Sequence, residues 1–109
     1  MRKLTILFLA TALAAFFAVS ATASPRTKNV KVADSYFSPK RITIRKGTKI
    51  TWKWDGFLQH NVTVFKGPAK FRSRIMVRGS FSHLFTKRGT YFLRCTLHPA
   101  SMRETITVK

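Results

Sequence analysis

The chain has 109 residues, of which 21 are Lys or Arg and 3 are Asp or Glu, and its formal net charge is +18. This length allows one small domain, and three carboxylates (Asp34, Asp55 and Glu104) are too few for chemistry based on carboxylate pairs or for an oxygen-rich Ca²⁺ or Mg²⁺ cage. Hydrophobic residues make up 45% of the chain and aromatic residues 13%, which excludes a disordered basic tail.

The N-terminal segment has the pattern of a secretory signal peptide. Arg2 and Lys3 precede an uncharged, mostly apolar run from Leu4 to Val19, and small residues follow it. The run is shorter than the ~20 residues that span a bilayer, which favours a cleaved signal over the alternative, an uncleaved membrane anchor. We therefore predict a signal peptide over residues 1–23 and an exported domain over residues 24–109, located in the periplasm, outside the cell or at its surface.

The exported part shows short segments in which apolar and polar residues alternate, without a long helical period. The apolar positions that we expect to face inward are, in chain order, Val30, Val32, Ile42, Ile44, Ile50, Trp52, Trp54, Val62, Val64, Phe81, Phe85, Tyr91, Leu93, Cys95, Ile106 and Val108. Seven or eight such strands predict an antiparallel β-sandwich or barrel. Lys and Arg occupy most outward positions, and the net charge of +16 that remains without Arg2 and Lys3 exceeds what solubility requires. We therefore expect acidic partners or anionic surfaces.

Cys95 is the one cysteine of the chain. Because small exported domains usually pair their cysteines, a lone thiol is a half-cystine for another chain, a buried residue without a role, or a metal ligand. Alternation places Cys95 and the upstream His60 inward on their strands, and His98 and Met102 follow Cys95 closely. A thiolate, two imidazoles and a thioether are the ligand set of copper in a trigonal electron-transfer site. Each residue alone has an ordinary structural explanation, but the combination Cys-x2-His-x3-Met with an upstream histidine favours copper.

The sequence resembles the cupredoxins, in particular the plastocyanin, amicyanin and pseudoazurin group, over nearly the whole exported part. The similar segments are residues 36–39, 42–44 and 46–47, residues 52–55 and 60–62, and residues 85–91 ahead of Cys95. The resemblance implies a Greek-key β-sandwich of seven or eight strands that binds one type 1 copper ion. It implies that His60, Cys95 and His98 are equatorial ligands and that Met102 is the axial ligand. It also implies that Asn61 and Thr96, each following a ligand, tie the two ligand segments together.

Two positions depart from the usual pattern of the family. Three residues separate His98 from Met102, where close relatives more often have two or four, and Arg103-Glu104 stands where a small residue is usual. His83 has inward parity but matches no family ligand, and we predict that it is a polar residue at a strand edge.

The resemblance implies a one-electron carrier that cycles between Cu(II) and Cu(I), with His98 as the electron port. A protein that buffers or delivers copper outside the cytoplasm is the alternative, because its ligands could be identical. A catalytic Cys95 is disfavoured because no acid is positioned to orient a histidine base, and an exported domain rarely meets nucleic acid. We expect a monomer that is not an enzyme and that associates with acidic redox proteins and with anionic membrane or cell-wall surfaces.

Overall fold

The protein is described by a computed structural model over residues 26–109. These residues form eight strands: β1 (Thr27–Ala33), β2 (Tyr36–Ser38), β3 (Arg41–Ile44), β4 (Lys49–Trp54), β5 (Thr63–Lys66), β6 (Ser80–Leu84), β7 (Gly89–Arg94) and β8 (Arg103–Val108). The described part contains no helix that could cross a membrane. The predicted signal peptide lies outside the described residues.

The strands form two four-stranded sheets, with the orders β2-β1-β4-β6 and β3-β8-β7-β5. The all-β sandwich predicted from the sequence is therefore confirmed. The expectation of purely antiparallel pairing is wrong for two pairs, because β1 pairs with β4 and β3 pairs with β8 in parallel. Alternation has a period of two residues whatever the direction of the neighbouring strand, so it could not distinguish the two arrangements.

The core lies between the sheets and is built from the alternating positions of both. The large side chains at its centre are those of Phe37, Trp52, Phe85 and Tyr91, all at most 1% exposed. Of the positions predicted to face inward, only Ile42 and Phe81 are partly buried, and the others are buried. Period-two patterning thus identified the core, because each strand has one face against the opposite sheet.

The same topology places the candidate ligands at one end of the sandwich. Strand β7 ends directly before Cys95 and β8 begins directly after Met102, and Arg94 and Arg103 are paired across these two antiparallel strands. Residues 95–102 therefore form the connection between neighbouring strands. His60 lies on the connection that leaves β4 at the same end.

Glu104 is a carboxylic acid inside the core. It has the same inward parity on β8 as Ile106 and Val108. Its side chain is 2% exposed, its Oε1 accepts a hydrogen bond of 2.8 Å from Trp52 Nε1, and its Oε2 has no hydrogen-bond partner. Burial raises the pKa of Glu104 to about 8, and the hydrogen bond from Trp52 opposes this shift. Glu104 is therefore protonated at neutral pH.

We expect this buried acid to make the metal-free protein less stable as the pH rises from 4.5 to about 8. In that window the folded state keeps the Glu104 proton while the unfolded chain has released it, so rising pH favours unfolding. A pKa difference of this size corresponds to about 5 kcal/mol. Urea unfolding at several pH values measures the effect in the wild type and in Glu104→Gln. The lowered pKa of the partly buried His83 acts in the opposite direction and is common to both proteins. Parallel curves for the two proteins would contradict the assignment to Glu104.

Candidate metal centre

The backbone of His60 is held on both sides. Its N–H donates to Met76 O at 3.0 Å, and its carbonyl accepts from Met76 N at 3.0 Å and from Trp54 Nε1 at 3.1 Å. The imidazole is fully buried, as alternation predicted. With its backbone fixed in this way, the ring can turn only about its own side-chain torsions.

Asp34 controls those torsions. Its Oδ1 lies 2.9 Å from His60 Nε2, and its carboxylate also accepts from the backbone N–H of Phe57 at 3.0 Å and of Leu58 at 3.0 Å. The hydrogen bond to His60 and those from Phe57 and Leu58 lower the pKa of Asp34 to about 2. The ionised carboxylate accepts a hydrogen bond from Nε2–H, and in the neutral imidazole the lone pair is then on Nδ1. That nitrogen faces Cys95 Sγ at 3.9 Å.

The expectation that no acid is positioned to orient a histidine is therefore wrong. Asp34 lies 26 residues before His60 and directly after β1. Because β1 and β4 are parallel neighbours, both strands finish at the same end of the sheet. Asp34, which follows β1, therefore lies against the start of the connection that carries His60. Gly56 makes this approach possible, since a Cβ at that position would overlap the Asp34 carboxylate. An acid directly after one strand and a glycine after another were visible in the sequence, but only the parallel pairing relates them.

Cys95 is fully buried and begins a connection in which the candidate ligands are linked through their backbones. His98 N donates to Cys95 O at 3.2 Å, Met102 N donates to His98 O at 3.0 Å, and Cys95 N donates to Met102 O at 3.0 Å. The spacings of three and four residues are those of tight turns closed by one hydrogen bond. The loop therefore accommodates three residues between His98 and Met102, and backbone hydrogen bonds still link Cys95, His98 and Met102 to one another.

The two segments that carry the candidate ligands are joined by a reciprocal pair of hydrogen bonds. Asn61 Nδ2 donates to Thr96 Oγ1 at 2.7 Å, and Thr96 N donates to Asn61 Oδ1 at 2.8 Å. In addition, Asn61 N lies 3.5 Å from Cys95 Sγ and donates to it. The thiolate is the form of cysteine that binds metals, and this N–H could donate to the sulfur in that form as well.

His98 and Met102 are the other two candidate ligands, and their surroundings differ. The His98 ring is partly exposed, and its centroid lies 5.3 Å from that of His60, a spacing at which both rings can present a nitrogen to one ion. Met102 is fully buried. Among residues 26–109, no three His, Cys, Asp or Glu side chains already form a metal-binding group. The contact that the structure makes is between Cys95 and His60, with His98 beside it.

The donors present fit a metal such as copper. The separation of Cys95 Sγ from His60 Nδ1 is 3.9 Å. A first-row metal ion typically forms bonds of about 2.3 Å to sulfur and about 2.0 Å to nitrogen. The two bond lengths together exceed the separation, so one ion can bind both atoms. A soft thiolate with imidazole nitrogens selects copper over the harder cations. The hydrogen bond from His60 Nε2–H to Asp34 selects the tautomer in which Nδ1 is free to bind a metal.

His83 lies away from this group. It belongs to β6, an edge strand, and it pairs with Ile50 near the start of β4, whereas the candidate ligands lie beyond the end of β4. Its ring stacks on that of Phe71 with a centroid separation of 3.8 Å, and it contacts the Phe85 ring in an edge-to-face arrangement. The predicted edge position is correct, but the side chain packs among aromatic rings.

Comparisons with known proteins agree with this geometry. Residues 26–109 match the family described as copper binding proteins, plastocyanin/azurin family. The chain is 34% identical over 104 residues to amicyanin-alpha of Methylorubrum extorquens, covering 83% of this chain and 87% of that protein. A solved structure of a reduced amicyanin variant is 28% identical with a TM-score of 0.68, covering 76% of this chain and 82% of that one.

A copper-containing nitrite reductase from Thermus scotoductus is also similar, with 30% identity and a TM-score of 0.68. The match covers 79% of this chain but 22% of the reductase, so the likeness is to one part of a larger enzyme. The resemblance inferred from the sequence is confirmed by the match to the family and by the amicyanin relatives. This chain belongs to the plastocyanin/azurin family of copper-binding proteins, the cupredoxins.

Proposed function

We propose that this protein carries single electrons with one copper ion, which His60, Cys95, His98 and Met102 would hold and which would supply a Cu(II)/Cu(I) couple. The observation that carries the proposal is the buried contact of 3.9 Å between Cys95 Sγ and His60 Nδ1. When bound, copper supplies a one-electron couple whose two states tolerate nearly the same geometry in such a ligand set.

The protein's own part is to keep the donors still. The Asp34 carboxylate fixes the His60 tautomer, and the Asn61 N–H donates to Cys95 Sγ. The backbone bonds from Cys95 to His98 to Met102 hold the connecting loop closed. Donors fixed in this way need little rearrangement when the charge at the site changes, and this supports rapid electron exchange.

The partly exposed His98 is the proposed electron port. Apolar side chains adjoin the ligands in the chain: Phe57 is 91% exposed and Leu58 52% exposed before His60, and Leu97 is 43% exposed beside His98. A small apolar surface around an exposed ligand suits short-lived docking of a partner protein. The electron port and the docking surface thus coincide at the end of the sandwich that carries the candidate ligands, here called the ligand end.

The burial of the ligands favours an electron carrier over a copper-delivery protein. Cys95 and Met102 are both fully buried, and transfer of copper to an acceptor requires ligands that an incoming donor can reach. We also propose that the protein is not an enzyme. The buried Cys95 thiol is closed to a substrate, and the match to the nitrite reductase involves only one part of that enzyme.

Copper binding is tested by adding Cu(II) to the purified protein and recording its visible and paramagnetic spectra. We expect an intense thiolate-to-copper band and a raised melting temperature, since a metal that binds only the folded state stabilises it. A 100-fold excess of copper over its Kd corresponds to a rise of roughly 10–20 °C for a domain of this size. Identical melting of the metal-free and copper-treated protein, or a Cu(II) spectrum without the band, would refute the site.

We propose further that the protein acts after export as a monomer, with residues 1–23 removed as a signal peptide, and that its redox partners are acidic. In the described part, Asp34 is bonded to His60, Asp55 is paired with Lys31 and Glu104 is buried, so little negative charge offsets the surface Lys and Arg. Electron-transfer rates with acidic partner proteins should fall steeply as salt rises, mainly through the association rate. Rates that are independent of salt would contradict an acidic partner.

A further inference from the structure

The end of the sandwich opposite the candidate ligands carries a cluster of basic residues. Strand β7 ends beside Cys95, so its first residue, Gly89, marks the opposite end, where β1 and β4 begin and β3 and β8 finish. Backbone bonds join the segments there: Lys49 N donates to Arg26 O at 2.7 Å, and Gly47 N donates to Phe85 O at 2.7 Å. The exposed basic residues of this end, here called the basal face, are Arg26, Lys28, Arg45, Lys46, Lys49, Lys87, Arg88 and Lys109.

No side-chain carboxylate balances the basal face. Asp34 and Asp55 follow the last residues of β1 and β4, and Glu104 is buried near the start of β8, so all three acids lie towards the ligand end. Among the described residues, the ion pairs are those of Lys31 with Asp55 and of His60 with Asp34. Arg26, Lys28 and Arg45 also line a common depression of about 350 Å³ between the two sheets. The basal face thus carries cations that have no side-chain carboxylate partner among residues 26–109.

We propose that the basal face binds the anionic headgroups of a lipid bilayer and that the ligand end then points away from the membrane. The proposal goes beyond electron transfer and does not depend on copper. Clusters of four to eight basic residues beside a membrane-directed segment are typical of binding to anionic lipids. The basal face contains eight.

The chain that precedes the domain favours a membrane over an acidic protein. The apolar run ends at Val19, seven residues before Arg26, and seven extended residues span at most about 25 Å. While that run is still attached and lies in a bilayer, before its removal or as an uncleaved anchor, a folded domain is held with Arg26 near the membrane surface. The basal face is the part of the domain from which the chain emerges, so it is the face that meets the headgroups.

The composition of the basal face favours the same partner. Protein interfaces usually have an apolar centre, but of the large hydrophobic residues that are exposed in residues 26–109, Leu84 alone lies at this end. The exposed Phe57, Leu58 and Leu97 adjoin the candidate ligands instead. A charged and almost purely polar surface suits headgroups, and the apolar ligand end stays free for redox partners.

Vesicle binding tests this. The protein is recovered in the form that the cell produces, its N-terminus is identified by mass spectrometry, and co-sedimentation with vesicles is measured with and without copper. We expect binding to mixed phosphatidylglycerol–phosphatidylcholine vesicles that weakens with salt, and much weaker binding to pure phosphatidylcholine. Equal binding to both vesicles, or none to the anionic ones at low salt, would overturn the proposal. Because the metal-free protein is included, a failure of the copper site leaves this result unaffected.

Two triple variants locate the surface. Arg45→Gln, Lys46→Gln and Lys49→Gln together change the basal face, and Arg72→Gln, Arg74→Gln and Arg78→Gln together remove the same charge from exposed positions of the loop between β5 and β6. Each basal residue removed should weaken binding about fivefold, so the basal triple loses on the order of 100-fold and the control much less. Equal losses would show that only net charge matters and would refute an oriented face. Tighter binding to a soluble acidic protein than to vesicles would refute the lipid assignment.

If the basal triple does not fold, Lys46→Gln alone, at an exposed turn, should still weaken binding about fivefold, and an unchanged affinity would count against the proposal.

Discussion

Replacing Cys95 with serine is expected to abolish the intense visible colour of the copper-loaded protein completely. The absorption requires charge transfer from a thiolate to Cu(II), and a serine hydroxyl cannot supply it. The substitution removes the one sulfur that is 3.9 Å from His60 Nδ1 and that accepts the Asn61 N–H. Visible and paramagnetic spectra of the copper-treated variant measure the effect.

Met102→Leu is the matched control, because it changes the other buried sulfur of the same loop. A weak axial thioether tunes the site without generating its colour, so this variant should keep an intense band at a shifted position. Colour that persists in Cys95→Ser would refute the proposed copper site. Colour lost equally in both variants would show that the loop, and not the thiolate, is required.

Replacing Asp34 with asparagine should weaken copper binding by about 10- to 100-fold while the colour is retained. The carboxylate holds the His60 proton on Nε2 and so presents Nδ1 to the site. An amide of the same shape holds the ring less firmly and makes the imidazole a weaker donor. Since the weaker donor stabilises Cu(II) less, the reduction potential should rise. A competition titration and a potentiometric titration measure these two changes.

Asp55→Asn is the control for charge, because it also removes one carboxylate near this end of the sandwich. Asp55 is exposed and pairs with Lys31 at 3.3 Å, without contact with a candidate ligand. Gly56→Ala should reproduce the Asp34 effect, since the added Cβ would displace the carboxylate from His60. If Asp34→Asn and Asp55→Asn have the same affinity and potential, Asp34 has no positioning role.

The local part of the site could be predicted from the sequence. Cys95, His98 and Met102 lie within one connection, so their spacing alone places them together once a β-strand is predicted before them. Alternation then turned Cys95 and His60 inward, and both are fully buried in the structure. The residues that follow them, Asn61 and Thr96, were identified through the resemblance, and the structure joins these two segments by hydrogen bonds.

The contacts between distant segments could not be predicted in this way. Asp34 reaches His60 because β1 and β4 are parallel neighbours. Burial between the two sheets raises the pKa of Glu104 against the opposing hydrogen bond from Trp52, and so keeps Glu104 protonated. The basic residues of the basal face come from four separate parts of the chain, and in the sequence they appeared only as a high net charge. Periodicity and spacing act over a few residues and therefore determine which side chains face inward. Which strands are neighbours depends on the packing of the two sheets, and this packing decides which acid meets the histidine and where the positive charge gathers.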